Sequence, residues 1–231
     1  MVSNNTKMRS LFLLLMACSL IAATATVLFS QQTKLPAMAT EASTAALQKY
    51  VSEVVNKENF SKFNFKSYEE VATARLGQPY PVMYIGLQAL QRYTPGTDIK
   101  SIAQDTNKIW FPVEVRGEAR TKMVLVKKEG AWIAGEFGGT RTVEAIADVR
   151  SKIPRLVESR GIREPYTLAL LEIPALYANF FYIESQQGNY LVPAMIRPGR
   201  YQIENGYIYP ANELLARLKD FAVKIDGTKL M

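Results

Sequence analysis

The sequence predicts an α+β protein in which helices pack on one face of an antiparallel sheet, preceded by an apolar targeting helix at the N-terminus. Short β-branched and aromatic runs separated by tight-turn residues predict the strands. Segments with apolar residues at helical spacing lie between and after those runs, which predicts amphipathic helices as well. The third observation is the 19-residue uncharged run Leu11–Phe29, which follows Lys7 and Arg9.

The N-terminal segment, residues 1–39, predicts export from the cytoplasm. An apolar run close to the ~20 residues that span a bilayer, with basic residues before it, places the following chain outside. Cleavage at Ala23-Thr24-Ala25 or Ala37-Met38-Ala39 would make the segment a signal peptide, whereas retention would make it an N-terminal membrane anchor. A third fate is lipid attachment at Cys18, because Leu15-Met16-Ala17-Cys18 resembles the bacterial lipobox. Each fate leaves residues 40–231 as a single exported domain, in the periplasm or elsewhere outside the cytoplasm.

The first elements of that domain are predicted to be helices. Residues 42–56 carry apolar side chains at helical spacing. Ser67 and Glu70 have the spacing of a capping box, which predicts a helix that begins there and continues through Leu76. Gly77 is then suited to end it, because glycine reaches the left-handed conformation of a helix C-terminus at little cost.

The middle of the chain predicts an antiparallel meander. Strands are predicted at residues 82–85, 109–115, 119–126 and 131–134, with turn residues between the last three. An amphipathic helix over residues 142–157 follows, with a kink or break at Pro154.

The C-terminal part repeats this order. The apolar run 166–173 fits either a buried strand or the start of a helix, and strands follow at 175–184 and 190–196. Asn205-Gly206 predicts a tight hairpin between residues 201–203 and 207–209. Asn212 can cap a last helix. The two series predict meander-plus-helix halves, residues 67–160 and 165–224, within one domain.

Composition excludes several classes of chemistry. The chain has no histidine, and its one cysteine is Cys18, so His-based triads, Cys–His dyads and zinc sites of His or Cys are excluded. No cofactor or metal motif is present. The net charge of +7 falls to about +4 without residues 1–39, which leaves 25 basic and 21 acidic residues. That excess is too small and dispersed to predict a nucleic-acid partner.

The function predicted is that of a non-catalytic cell-envelope protein that binds a protein or peptide partner. The alternatives are a histidine-independent hydrolase using carboxylates or serine, and a structural or membrane-surface protein. Candidate partner-binding residues come from a basic stretch and from a tyrosine-rich C-terminal half, because arginine and tyrosine supply strong contacts at interfaces. They are Arg155, Arg160, Arg163, Tyr201 and Tyr207.

Overall fold

A nine-stranded, largely antiparallel sheet with helices against it forms the centre of the described chain, which confirms the α+β class. The computed structural model describes residue 35 and residues 37–197, 199 and 201–225. The predicted targeting helix Leu11–Phe29 and Cys18 lie outside the described residues.

The strands follow one another along the sheet in the order β5-β4-β3-β2-β6-β7-β8-β9, and β1 lies beside β3. Their bounds are β1 Arg75–Leu76, β2 Tyr80–Tyr84, β3 Gln104–Val115, β4 Glu118–Lys128, β5 Ala131–Gly138, β6 Tyr166–Ile173, β7 Ala178–Ser185, β8 Gly188–Met195 and β9 Tyr209–Pro210.

The helices are mostly short, apart from three. Their bounds are α1 Ala37–Lys49, which continues as a π-helix over Tyr50–Val54, α2 Tyr68–Val71, α3 Leu87–Gln91, α4 Ile99–Ile102, α5 Thr140–Ser159 and α6 Ala211–Ala222. Short 3₁₀ turns lie at Phe60–Phe63 and Pro174–Leu176. Within the described residues, no helix combines the length and the apolar character that a bilayer crossing requires.

One parallel pair joins two antiparallel groups of strands. Val82 of β2 lies opposite Leu170 of β6, and the Ile85 N–H donates to the Glu172 carbonyl at 3.0 Å. The meander β3–β4–β5 lies on one side of this pair and the meander β6–β7–β8 on the other. Both meanders therefore belong to a single continuous sheet.

Strand β5 is an edge of that sheet. Among the described residues it pairs only with β4, and most of its eight residues are exposed. Glu136 is its one charged side chain. An eight-residue edge with so little charge has few of the features that keep sheet edges from pairing further.

The helices pack on both faces of the sheet, so the prediction of a single covered face is wrong. Phe181 and Ile183 of β7 pack in one core cluster with α5, whereas Phe180 and Tyr182 pack in another with α3 and α6. A third cluster places α1 against β3 and β4. Consecutive apolar residues in β7 are typical of a strand that is buried on both faces.

The capping-box helix is a single turn rather than the predicted run to Leu76. Helix α2 ends at Val71, and Arg75 and Leu76 pair with β3 instead. The Gly77 N–H donates to the Pro112 carbonyl at 2.8 Å, which holds the chain against that strand. Tertiary pairing with β3 thus outweighs the local helix signal.

The predicted hairpin around Asn205-Gly206 does not form. The Gly206 N–H donates to the Pro193 carbonyl at 2.9 Å, and Tyr209 pairs with Leu191 of β8. The segment therefore returns to the existing sheet rather than folding on itself.

The structure also decides between the alternatives left open for two other segments. Residues 166–173 form a strand, and helix α5 continues through Pro154 without the predicted break.

Candidate functional site

Two of the five predicted partner-binding residues, Arg160 and Tyr207, line a pocket of about 430 Å³ between the end of α5, the segment before β9, and α6. We call it the arginine–tyrosine pocket. It is lined by Arg160, Glu204, Tyr207, Tyr209, Pro210, Glu213 and Arg217.

Arg160 reaches the pocket because it lies directly after the last residue of α5. Its Nη2 donates to the Ile208 carbonyl at 3.2 Å, which fixes the guanidinium beside the segment that carries Tyr207. The Val157 side chain one turn earlier is buried against the sheet and anchors the helix end. The position of Arg160 is therefore set by both the core and a backbone hydrogen bond.

The aromatic side of the pocket consists of two tyrosines and a second arginine. The rings of Tyr207 and Tyr209 lie 6.0 Å apart at an angle of 42°, and the Tyr207 side of the pair is open, with 55% of that residue exposed. The Arg217 guanidinium lies 5.9 Å from the Tyr209 ring centre, within the range of a cation–π contact. The Tyr209 hydroxyl accepts the Glu204 N–H at 3.3 Å.

The pocket carries two guanidinium groups and two carboxylates, and its charges balance. Arg160 and Arg217 can each bind a carboxylate of a partner through several N–H donors, while Glu204 and Glu213 can accept from its basic or amide groups. The arrangement suits recognition of a polar protein surface better than proton transfer to a small substrate.

The other predicted partner-binding residues lie elsewhere. Tyr201 is 2% exposed, and its hydroxyl donates to the Leu176 carbonyl at 2.8 Å, so its assignment to a partner surface is wrong. Arg155 and Arg163 are exposed but do not line the pocket. Tyr182 and Tyr166 are also buried, which means that the tyrosine-bearing faces of the sheet are covered.

The basic stretch of α5 does not form one free cationic face. Arg150 points into the fold, where its Nη2 donates to Gln78 Oε1 at 2.7 Å. Lys152 is paired with Asp148 at 2.7 Å, one turn before it. These contacts remove two of the cations that a membrane-surface function would need.

Two carboxyl groups have the raised pKa that an acid catalyst requires, but they do not form a pair. Burial raises the pKa of Glu114 and of Glu172, and the nearby Lys108 and Lys122 partly offset that effect at Glu172. Glu114 lies near one end of β3, whereas Glu172 lies next to Tyr84, which pairs with Gln104 at the other end. Neither carboxyl group is among the groups that shift the pKa of the other.

A further cleft, of about 890 Å³, lies where the parallel strands β2 and β6 end. Tyr84, Gln104 and Tyr177 are among its lining residues, and Arg92 is its one charged residue. Because it holds no carboxylate, it offers no acid–base pair. Among the described residues, no three acidic groups come together to hold a metal ion.

Sequence reasoning included Tyr209 among the tyrosines of the C-terminal half but missed Glu204, Glu213 and Arg217 as members of the site. Glu213 and Arg217 are four residues apart and therefore lie on the same side of α6. That spacing is readable in the sequence, but the contact of this helix with the end of α5 is not.

Comparison with protein-family models, with curated proteins and with solved structures found no match for this chain.

Proposed function

We propose that this protein is exported to the cell envelope, where it binds a protein or peptide partner without catalysing a reaction. The observation that carries the proposal is the convergence of Arg160, Tyr207, Tyr209 and Arg217 in one open pocket. Arginine and tyrosine dominate the binding energy of many interfaces, because they combine wide contact area with specific hydrogen bonds.

The partner segment that fits this pocket carries an acidic side chain together with a basic or amide group, which would donate to Glu204 or Glu213. Its carboxylate would bind Arg160 or Arg217, and its apolar part would pack on the exposed ring of Tyr207. Arg160 is already held by the Ile208 carbonyl, so little conformational entropy is lost when it binds.

Site-specific photo-crosslinking in intact cells tests the binding proposal. A benzophenone amino acid in place of Tyr207 should give a discrete adduct with one partner, and the same probe in place of the exposed Tyr177 should not. Arg160→Glu and Arg217→Glu should abolish the Tyr207 adduct, because each places a negative charge where the partner's carboxylate binds.

Arg155→Glu is the matched control, since Arg155 is an exposed arginine of the same helix that lies outside the pocket. It should leave the adduct unchanged. Equal loss with Arg155→Glu and Arg160→Glu, or identical adducts from positions 207 and 177, would contradict a partner site in this pocket.

Export is tested separately, because the proposal assigns residues 40–231 to the outside of the cytoplasm. Protease added to spheroplasts should digest a C-terminal tag while a cytoplasmic marker stays intact. The N-terminal mass of the isolated protein then distinguishes a cleaved signal peptide, a retained anchor and a lipid on Cys18. A tag that stays protected until the cells are lysed would contradict export.

A further inference from the structure

The cleft of about 890 Å³ at the ends of the parallel strands β2 and β6 is separate from the arginine–tyrosine pocket, and the two share no lining residue. We call it the Tyr177 cleft. Its walls come from the end of β2, helix α3, the start of β3 and the turn between β6 and β7. A concave site of this volume, in which a few polar groups lie among apolar ones, is typical of small-molecule binding.

Tyr177 has a backbone conformation that a tyrosine rarely adopts. Its φ is 51° and its ψ is 45°, in the left-handed region where glycine and asparagine are tolerated best. Among the described residues, it is the one aromatic residue with a positive φ. The Tyr177 N–H donates to the Pro174 carbonyl at 2.9 Å, but a glycine or an asparagine could close the same turn with less strain.

Packing of the Tyr177 side chain does not offset this strain. The residue is 69% exposed, and in the described part of the chain its ring contacts no other aromatic ring. Strained positions of this kind cluster at ligand sites, where the surrounding structure holds a side chain in place for binding. Binding therefore explains a tyrosine at this position better than folding does.

Tyr84 supplies a second aromatic ring to the cleft. That ring lies against the backbone of Gly86, where an added Cβ would come within 3.3 Å of the Tyr84 Cε1 atom. Pairing of Tyr84 with Gln104 of β3 fixes its backbone as well. Leu87 and Pro174 add apolar surface nearby. A flat ring can pack against tyrosines in this setting, because aromatic pairs gain stability beyond the area that they bury.

The charge of the cleft comes from Arg92 alone, since no carboxylate and no other cation is among its lining residues. Arg92 is exposed and directly follows the last residue of α3. Its guanidinium has neither an ion pair nor a hydrogen bond with any other residue that the structure describes. A guanidinium binds a carboxylate or a phosphate through two parallel N–H donors, so the cleft favours an anion.

The helix that carries Arg92 is fixed against the end of α6. Gln91 Nε2 donates to the Ala222 carbonyl at 3.0 Å and to the Ile225 carbonyl at 3.3 Å. The Arg92 N–H donates to the Gln88 carbonyl at 3.1 Å. This wall of the cleft is therefore already in place before a ligand binds, which reduces the entropy lost on binding.

We propose that the Tyr177 cleft binds a small aromatic anion, whose ring packs on Tyr177 and whose carboxylate or phosphate binds Arg92. The exposed ring on a strained backbone requires the aromatic part of the ligand, and the unpaired guanidinium requires the anionic part. This site is independent of the proposed partner pocket, and the two proposals can fail separately.

Isothermal titration calorimetry of the purified protein with matched probes tests the proposal. Indole-3-acetate or phenyl phosphate should bind at a 1:1 ratio, and the tighter of the two identifies the anionic group. The neutral indole-3-ethanol should bind at least tenfold more weakly, because it lacks the charge that pairs with Arg92. Cyclohexylacetate keeps the carboxylate but has no flat ring, and it should bind about fivefold more weakly.

Tyr177→Asn and Tyr177→Phe separate binding from folding. Asparagine adopts the left-handed conformation more readily than tyrosine, so the Tm of Tyr177→Asn should equal or exceed that of the wild type. Its affinity for the aromatic anion should nevertheless fall about tenfold, whereas Tyr177→Phe keeps the ring and should stay within twofold. A lower Tm of Tyr177→Asn would mean that Tyr177 supports the fold, and would contradict its assignment to a ligand.

Arg92→Gln should weaken binding at least tenfold, because it removes the one cation of the cleft. Arg160→Gln is the matched control, since Arg160 is an arginine of the other pocket, and it should leave the affinity unchanged. The proposal is wrong if neither aromatic anion binds at millimolar concentration or if indole-3-ethanol or cyclohexylacetate binds as tightly as they do. It is also wrong if Arg160→Gln weakens binding as much as Arg92→Gln.

Discussion

Arg120 carries its charge inside the fold, where two carboxylates neutralise it. Its side chain is 7% exposed, and it donates to Glu70 through Nε at 3.2 Å and Nη2 at 3.1 Å. Nη1 donates to Glu118 at 2.7 Å, and Lys66 binds the same Glu118 oxygen at 2.8 Å. The network ties α2 to the start of β4, so its protonation state affects the stability of both.

Acid should destabilise the protein through this network. The Lys66 and Arg120 side chains lower the pKa of Glu118 to about 2, and the Lys66 N–H and Arg120 lower that of Glu70. The stability that these carboxylates contribute is present above their unfolded pKa of about 4.3 and is lost as pH falls toward 2. We expect the Tm difference between wild type and the Glu70→Gln/Glu118→Gln variant to disappear over that window.

Thermal unfolding followed by circular dichroism between pH 6 and pH 2 measures this difference. Added salt should reduce it as well, because the side chain of Glu118 is 60% exposed and its pairs are screened by ions. A constant Tm difference from pH 6 to pH 2 would contradict the role given to the two carboxylates.

Glu114 should show the opposite dependence on pH. Burial raises its pKa, so the folded state disfavours its ionised form. The stability that the neutral Glu114 carboxyl contributes is fully present below its pKa in the unfolded chain. It is lost as pH rises through its pKa in the folded protein. Glu114→Gln should therefore raise Tm at pH 7 by about 1–2 °C, a small value because water still reaches this half-buried group. Calorimetry at pH 4 should show no such gain.

At the scale of elements, Gly77 determines how closely β1 approaches β3. A Cβ on Gly77 would lie 2.2 Å from Glu114 Oε1 and 2.7 Å from Pro112 Cγ, both far inside contact distance. Gly77→Ala should cost about 1–3 kcal/mol of unfolding free energy, the usual cost of overpacking. Urea unfolding measures it.

Gly86→Ala is the comparison for that substitution. Gly86 has an ordinary φ of −72°, and a Cβ there would meet only the Tyr84 ring, at 3.3 Å. Its effect should stay below about 1 kcal/mol. Equal losses at the two glycines would mean that close packing against β3 is not what requires Gly77.

Elements with strong local signals were predictable, and those that depend on distant partners were not. The apolar stripe of α5 identifies that helix, because the helix buries the face that the sequence pattern shows. Pairing of Val82 with Leu170 joins segments 88 residues apart, and no local pattern reports it. The hairpin at Asn205-Gly206 failed for the same reason, since β8 offers a better partner for Tyr209.

In the candidate site, the residue types were predictable but their grouping was not. Arg160 and Tyr207 were identified by type and meet in one pocket, whereas Tyr201 was identified by the same criterion and is buried. Its hydroxyl finds a backbone carbonyl through tertiary packing alone. A tyrosine count therefore predicts that a surface of this kind exists, but not which tyrosines form it.

At the scale of the whole molecule, one core cluster spans both meanders. Trp110 and Val124 of the first meander pack in the same cluster as Phe181 and Val192 of the second, with α5 across them. Separating the meanders would expose this shared surface, so neither has a complete core of its own.

The protein should therefore unfold in one transition, and the halves 67–160 and 165–224 should not fold when expressed alone. In a Trp132→Phe variant, Trp110 is the one remaining tryptophan and reports on the shared cluster. Its fluorescence and the far-ultraviolet circular dichroism should give the same midpoint in urea. Separate midpoints, or cooperative unfolding of an isolated half, would contradict the shared core.

The unpaired edge of the sheet at β5 should make the association state of the protein depend on its concentration. Among the described residues no second strand pairs with the outer side of β5, and the one charged residue of that strand, Glu136, is already paired with Lys122 at 2.8 Å. Such an edge accepts another strand wherever one is available, including the same strand of a second molecule. A higher protein concentration should therefore favour assemblies in which the β5 strands of different molecules pair and extend the sheet. Ala134→Lys should suppress this assembly, because it adds a positive charge to the edge.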